Sequence, residues 1–112
     1  MNARRETMLW AAQRLTAAIL AFCVLVHLVT IIYAVRGGLS AADILARTRG
    51  NYLWGAFYAT FVVAVSIHGA IGLRAIASEW LAFRGRAADG VMAALAVALA
   101  VLGMRAIVAV VA

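Results

Sequence analysis

Three long apolar runs alternate with short polar segments along the chain. They cover about residues 15–35, 54–78 and 90–110, and few charged side chains interrupt them. A helix rises about 1.5 Å per residue, so roughly 20 apolar residues cross the hydrocarbon core of a bilayer. An isolated strand cannot cross, because its backbone groups would stay unpaired in lipid. We therefore predict an all-α integral membrane protein, with three transmembrane helices in a single domain, 1–112.

A short surface helix is predicted between the first two spans. Gly37 and Gly38 interrupt the first helix, and Ser40 then stands three residues before Asp43. A serine followed three residues later by an acidic side chain is typical of a capping box, although Glu is preferred to Asp there. We expect this helix to cover about residues 41–49.

The polar residues of the first two spans fall on one helical face each. At helical spacing, the first span carries Gln13, Thr16, Cys23, His27 and Thr30. One face of the second span carries Tyr58, Phe61, Val65, His68, Gly72, Ala75 and Glu79. The third span has a ridge of small residues: Ala96, Ala100 and Gly103. A polar stripe on a lipid-embedded helix is typical of a surface that meets another helix or a flat cofactor.

The composition agrees with a membrane protein and argues against other classes. Of the 112 residues, 68% are hydrophobic, none is proline, and the mean hydropathy is +1.05. Soluble domains average about 45–50% apolar residues. The net charge of +6 comes from arginines near the ends of the spans, which we interpret as topology and headgroup charges, with no nucleic-acid partner. The single cysteine, Cys23, rules out a disulfide framework.

The arginine positions predict an orientation. The side of the N-terminal segment and the second loop holds Arg4, Arg5, Arg14, Arg74, Arg84 and Arg86. The opposite side holds Arg36, Arg47, Arg49 and Arg105. Since positive charge accumulates on the cytoplasmic side, we expect the N-terminus inside and the C-terminus outside.

The two histidines, His27 and His68, are the candidate cofactor ligands. We take Arg14 and Trp80 to lie at one depth near the inner face. His27 then lies thirteen residues into the first span and His68 twelve residues back along the second, so both are roughly 18–20 Å from that surface. This suits bis-histidine ligation of a haem, with Arg14 and Arg74 as partners of the propionates. Alternatively, His27 binds a second haem or has only a structural role; either histidine could simply hydrogen-bond a neighbouring helix.

The same residues resemble a known family, over nearly the whole chain. The run from His68 to Trp80 has Ile-Gly at 71–72 and an acidic–aromatic pair at its end. It resembles the haem-ligand segment of the succinate dehydrogenase/fumarate reductase membrane-anchor (cytochrome b) subunits, most of all the smaller anchor subunit of succinate dehydrogenase. The Arg-x-Thr pattern at 14–16 and the three-span layout resemble that family too.

The resemblance implies a haem-b-binding anchor subunit of a succinate:quinone oxidoreductase, the complex II-like enzyme of the respiratory chain and the tricarboxylic acid cycle. Such an anchor tethers flavoprotein and iron–sulfur subunits and helps pass electrons to quinone. It implies that His68 binds the haem iron and that Glu79 and Trp80 contact quinone. Trp80 stands where the family has a tyrosine; its indole N–H can donate a hydrogen bond but cannot pass on a proton. His27 resembles the extra histidine of two-haem anchors, which leaves one or two haems open.

Three helices are too few to enclose a haem, so we expect further partners. The resemblance implies a second three-helix anchor subunit, with a homodimer as the alternative, in the bacterial inner membrane with its lipids. Two other functions compete: a non-redox assembly or anchor protein, and a small proton-coupled transporter component that uses His68 and Glu79 as a relay.

Overall fold

The computed structural model describes residues 2–112, which form four helices. They are α1 (Ala3–Gly37), α2 (Ala41–Thr48), α3 (Tyr52–Trp80) and α4 (Arg86–Val111). No strand occurs among the described residues. Helices α1, α3 and α4 are each long and apolar enough to cross a membrane. The predicted all-α class with three spanning helices is confirmed.

Helix α1 is longer than a bilayer requires. Its 35 residues rise about 52 Å, whereas the hydrocarbon core is about 30 Å thick. The helix begins after Asn2, whose side chain accepts a hydrogen bond of 2.8 Å from the backbone N–H of Arg4. It continues through residues 3–14, which contain no glycine or proline. It ends at Gly37, and the next residue, Gly38, has a φ of 132°, a conformation that favours glycine. The charged N-terminal turns are thus a helical extension of the span.

Helix α3 lies at the centre of the fold. It packs against α1 on one side and α4 on the other, whereas α1 and α4 have little contact with each other. Helix α2 and the turn after it lie at the C-terminal end of α4. There the Thr48 hydroxyl donates to the Val110 carbonyl, and the Gly50 N–H donates to the Val111 carbonyl, each at 2.7 Å. These bonds satisfy carbonyls that have no partner within the helix.

Helices α3 and α4 are in close contact at Gly103, a member of the predicted small-residue ridge. A Cβ atom at this position would lie 2.5 Å from Cγ1 of Val62. Near the middle of α3, a Cβ atom on Gly69 would lie 3.8 Å from Cδ1 of Leu99. The two backbones approach closely because these positions carry no side chain.

Asp89, near the start of α4, connects the three long helices at one end. Its carboxylate accepts hydrogen bonds from Nη2 of Arg5 at 2.7 Å and from Nε of Arg74 at 2.9 Å. Nη2 of Arg74 also lies 3.7 Å from Oε1 of Glu6. The Arg74 side chain is 19% exposed and that of Asp89 is 28% exposed, so water screens the cluster only in part. This ion cluster links α1 to α4, which otherwise have little contact.

The predicted capping box at the start of α2 is present. The Ser40 hydroxyl accepts a 3.1 Å hydrogen bond from the N–H of Asp43 and lies 2.6 Å from its carboxylate. Donation by this hydroxyl holds the pKa of Asp43 below its usual value. Arg47 then donates to the carbonyl of Gly38 at 2.7 Å, which holds α2 against the end of α1.

Substitution of Gly103 by alanine is expected to lower the free energy of unfolding by about 1–3 kcal/mol, because the new methyl group would press on the stiff, branched side chain of Val62. Gly90→Ala is the matched control in the same helix, since nothing lies within 4 Å of a Cβ atom there. Unfolding in detergent micelles gives the comparison. Val62→Ala in the Gly103→Ala background should restore much of the loss; equal stability of the two glycine variants would contradict the close contact.

Acidification is expected to loosen α2. The folded-state pKa of Asp43 is lowered. The ionised carboxylate therefore stabilises α2 fully above the unfolded-state pKa, about 3.9, and this stabilisation is lost as the pH falls through the folded-state pKa. Hydrogen exchange of the α2 amides, corrected for intrinsic rates, should therefore show falling protection in acid. Asp43→Ala should be less protected already at neutral pH and change less with acid. The same protection in both proteins at every pH would argue against the capping role.

Candidate functional site

The polar stripe of α1 faces α3. Nε2 of Gln13 lies 3.3 Å from where a Cβ atom of Gly72 would be, so the amide packs on the glycine. Oγ1 of Thr16 lies 3.2 Å from Nδ1 of His68. Thr16 and Cys23 are buried in this contact. The sequence predicts that the polar face of α1 meets another helix or a cofactor. In the structure this face packs largely against helix α3.

The two histidines lie at different depths. His68 is beside Thr16, whereas the ring of His27 is beside that of Tyr58, with 6.0 Å between the ring centroids. Thr16 and His27 are eleven residues apart on α1, which is about 16 Å along the helix. The prediction that both histidines lie at one depth is wrong. Within one chain they cannot be opposite ligands of the same iron.

The reason is the register between α1 and α3. Treating Arg14 and Trp80 as level overlooks the N-terminal turns of α1. In the structure Arg74 is level with Glu6, at 3.7 Å, so Trp80 lies near the beginning of α1. His68 is consequently opposite the early part of the first span, and His27 is opposite the early part of the second.

The hydrogen bond between Thr16 and His68 assigns a tautomer to the imidazole. The Thr16 hydroxyl lies 2.8 Å from the carbonyl of Ala12, one turn earlier, and donates its single proton there. With its proton on that carbonyl, the oxygen can accept from Nδ1–H of His68, 3.2 Å away. In that tautomer Nε2 of His68 carries the lone pair, and the side chain is partly exposed. This is the form of histidine that binds a metal through Nε2.

His27 has a different environment. Its ring contacts Tyr58 and Phe61 edge to face, with centroids 6.0 and 5.7 Å away. Nδ1 of His27 is buried and has no hydrogen-bond partner within the described residues. Ligation through Nε2 would require a proton on Nδ1, and that proton would have no acceptor. His27 is thus less well prepared than His68 to bind a metal.

An apolar cleft of about 440 Å³ lies between α3 and α4, with α2 and His27 at one end. From α3 it is lined by Tyr58, Phe61, Val62 and Val65. From α4 it is lined by Leu99, Gly103, Ala106, Ile107 and Val110. Val65 lies about one turn before His68 on α3, and Leu99 packs near Gly69. The cleft therefore ends about one turn from His68.

Sequence reasoning placed no residue of α2 or α4 at this site. Ile44 and Thr48 of α2 line the cleft, and they also line a second cavity of about 500 Å³ that shares His27 and Tyr58. The available signal was the amphipathic pattern of α2, which puts Ile44 and Thr48 four residues apart. Gly103 was recognised for packing, and it also forms part of the wall.

The other predicted site residues lie in three separate environments: Arg14 at Trp10, Arg74 in the Asp89 cluster, and Glu79 with Trp80 at the end of α3. The Arg14 guanidinium is 5.2 Å from the centroid of the Trp10 ring, and Arg74 belongs to the Asp89 cluster. Glu79 is exposed at the end of α3, and Trp80 is 81% exposed. None of these side chains has a hydrogen bond or ion pair with His68 among the contacts described above.

The donor set fits a haem better than a bare metal ion. Among the described residues, no group of three His, Cys, Asp or Glu side chains could hold a metal. A haem iron needs only axial ligands from the protein. His68 offers one such ligand and is partly exposed, while Gly69 beside it is covered by Leu99 and Gly72 by Gln13. The residues present therefore meet the need of a haem for one axial ligand, and the apolar cleft is lined by His27 instead.

Replacement of His27 by leucine is expected to leave the unfolding free energy of the cofactor-free chain unchanged within about 1 kcal/mol, because an unsatisfied nitrogen is removed while aromatic contacts are lost. His68→Leu is the matched comparison and should lower it by about 1 kcal/mol more, since a hydrogen bond is broken. Circular dichroism of unfolding in micelles distinguishes them. A larger loss for His27→Leu would show that its nitrogen has a partner.

Comparison with known proteins agrees with these features. The family model of the succinate dehydrogenase/fumarate reductase transmembrane subunit matches residues 1–110. No curated protein and no solved structure gives a significant match. Because the match covers nearly the whole chain, and because three apolar helices of spanning length accompany it, the resemblance expected from the sequence is confirmed. The chain belongs to the succinate dehydrogenase/fumarate reductase transmembrane subunit family.

Proposed function

We propose that the chain is a haem-b-binding membrane anchor of a succinate:quinone oxidoreductase. Family membership supports the anchor role and implies association with the flavoprotein and iron–sulfur subunits of the complex. Three long apolar helices support a multi-pass membrane location, which we assign to the bacterial inner membrane. Dicarboxylate oxidation belongs to the flavoprotein in this proposal, and the anchor serves electron transfer to quinone.

His68 is the proposed axial ligand of the haem iron. The observation that supports this most strongly is the 3.2 Å contact between its Nδ1 and Oγ1 of Thr16, because an Nδ1–H donated there leaves the lone pair on Nε2. Histidines that bind metals almost always donate a hydrogen bond through their other ring N–H. When bound, the haem supplies a one-electron carrier. His68 would hold it, with its imidazole oriented by Thr16.

Arg14 and Arg74 are the proposed partners of the propionates. Arg14 lies two residues from Thr16 and has no carboxylate within ion-pair distance among the described residues. Arg74 already pairs with Asp89 at 2.9 Å, so a propionate would compete with that carboxylate. We therefore favour Arg14 over Arg74.

The second axial ligand comes from another subunit in this proposal. His27 lies about 16 Å further along α1 than the partner of His68 and cannot reach the same iron. A second three-helix anchor would supply the ligand, and a homodimer would supply a second His68. His27 itself remains a candidate ligand of a second haem, or a structural residue.

Glu79 and Trp80 are the proposed quinone contacts. Both are exposed at the charged end of α3, where a molecule from the lipid phase and a soluble subunit could both approach. The Trp80 indole N–H can donate to a quinone carbonyl, and the Glu79 carboxylate can accept from a quinol hydroxyl.

The alternative functions have less support. A relay from His68 to Glu79 would span eleven residues of α3, about 16 Å, and the described contact of the His68 ring is with Thr16 instead. A purely structural histidine in a membrane span would not need to be partly exposed, as His68 is.

The test is a reduced-minus-oxidised spectrum of the purified complex, with a pyridine haemochrome assay to count haem b per anchor chain. Haem content should fall at least tenfold in His68→Ala, because the axial ligand is lost. His27→Ala is the matched control and should retain the haem that His68 binds. Full haem content in His68→Ala, or no haem in a stoichiometric wild-type complex, would overturn the proposal.

A further inference from the structure

We propose that the hydroxyl of Thr16 sets the tautomer and the donor strength of His68, and through them the reduction potential of the haem iron. This inference rests on the proposed function, because it concerns the same ligand. Thr16 acts as a positioning residue: it contacts the imidazole and does not contact the iron.

The Thr16 hydroxyl can donate its single proton within α1. Thr16 is 6% exposed, and its Oγ1 lies 2.8 Å from the carbonyl of Ala12 and 3.1 Å from that of Gln13. The hydroxyl has one proton, and these two acceptors occupy it. Towards His68 the oxygen is therefore an acceptor, at 3.2 Å. The ring must supply the proton from Nδ1.

No second acceptor would replace the Thr16 hydroxyl if it were removed. Within residues 2–112, Thr16 is the hydrogen-bond partner found for the His68 ring. The hydrocarbon core of the membrane around His68 contains no bulk water that could take its place. Without it, the ring would have no protein acceptor that favours the Nδ1–H form.

The hydrogen bond to Thr16 also changes how strongly His68 binds iron. A hydrogen bond donated by Nδ1–H increases the basicity of the imidazole, so Nε2 becomes a stronger donor. A stronger donor stabilises ferric iron more than ferrous iron, and the reduction potential falls. Removal of the Thr16 hydroxyl should consequently raise the potential and weaken haem binding.

Among the described residues, Thr30, on the same polar stripe of α1, makes no contact like the one between Thr16 and His68. Thr30 also donates to its own helix, at 2.7 Å from the carbonyl of His27. No side-chain nitrogen on α3 is paired with its oxygen among the described hydrogen bonds. A threonine that faces α3 does not by itself create the contact, which depends on the position of Thr16 opposite His68.

The experiment is a potentiometric titration of the purified holo-complex with Thr16→Val, which removes the hydroxyl and keeps the branched shape. We expect an upward shift of the midpoint potential, altered ferric EPR g-values and about 10–100-fold weaker haem binding. Thr16→Ser should restore all three. Thr60→Val is the matched control and should behave as wild type, since the Thr60 hydroxyl donates only to Ala56 of its own helix.

A measurement on the haem-free full chain keeps the test independent of haem content. Nitrogen-15 NMR distinguishes the two neutral tautomers, and His68 should carry its proton on Nδ1 in the wild type but lose that preference in Thr16→Val. A proton on Nε2 in the wild type would overturn the inference. Equal midpoint potentials in wild type and Thr16→Val would also overturn it, while the haem function stood. If the wild-type complex bound no haem although His68 had the Nδ1–H form, the proposed function would fail instead.

Discussion

A polar side chain inside a bilayer has to find its partner within the protein, and the contact between Thr16 and His68 meets that requirement for His68. Because both residues lie on long helices, this contact also requires one alignment of α1 and α3 along their lengths. Gln13 then packs on Gly72, and His27 comes to rest beside Tyr58. The separation of the two histidines follows from this alignment.

Features determined by neighbouring residues could be predicted from the sequence. The three apolar runs, the stripe that includes Thr16 and His27, and the capping box of Ser40 and Asp43 all depend on spacing within one helix. The relative depth of His27 and His68 could not be predicted, because it depends on how far α1 extends before its span begins. Residues 3–14 contain no signal that separates a helical extension from a polar leader.

The cleft could not be predicted for a different reason. It forms where α2 and α4 approach the central helix, so it depends on contacts between residues far apart in the chain, such as Gly103 with Val62. The two histidines also illustrate the limit of residue type as a guide. Both lie in apolar spans, yet His68 has a hydroxyl beside Nδ1, whereas the buried Nδ1 of His27 has no partner among the described residues and its ring contacts aromatic side chains.

The arrangement of α1 and α4 on either side of α3 has a thermodynamic consequence. The two outer helices have little direct contact, and the Asp89 ion cluster joins them only at one end. The cleft has walls from α3 and α4, with α1 contributing His27 at its end. A ligand that bound there would add its binding free energy to the stability of the bundle by mass action. Folding of the chain and binding in the cleft would then be linked equilibria, each of which favours the other.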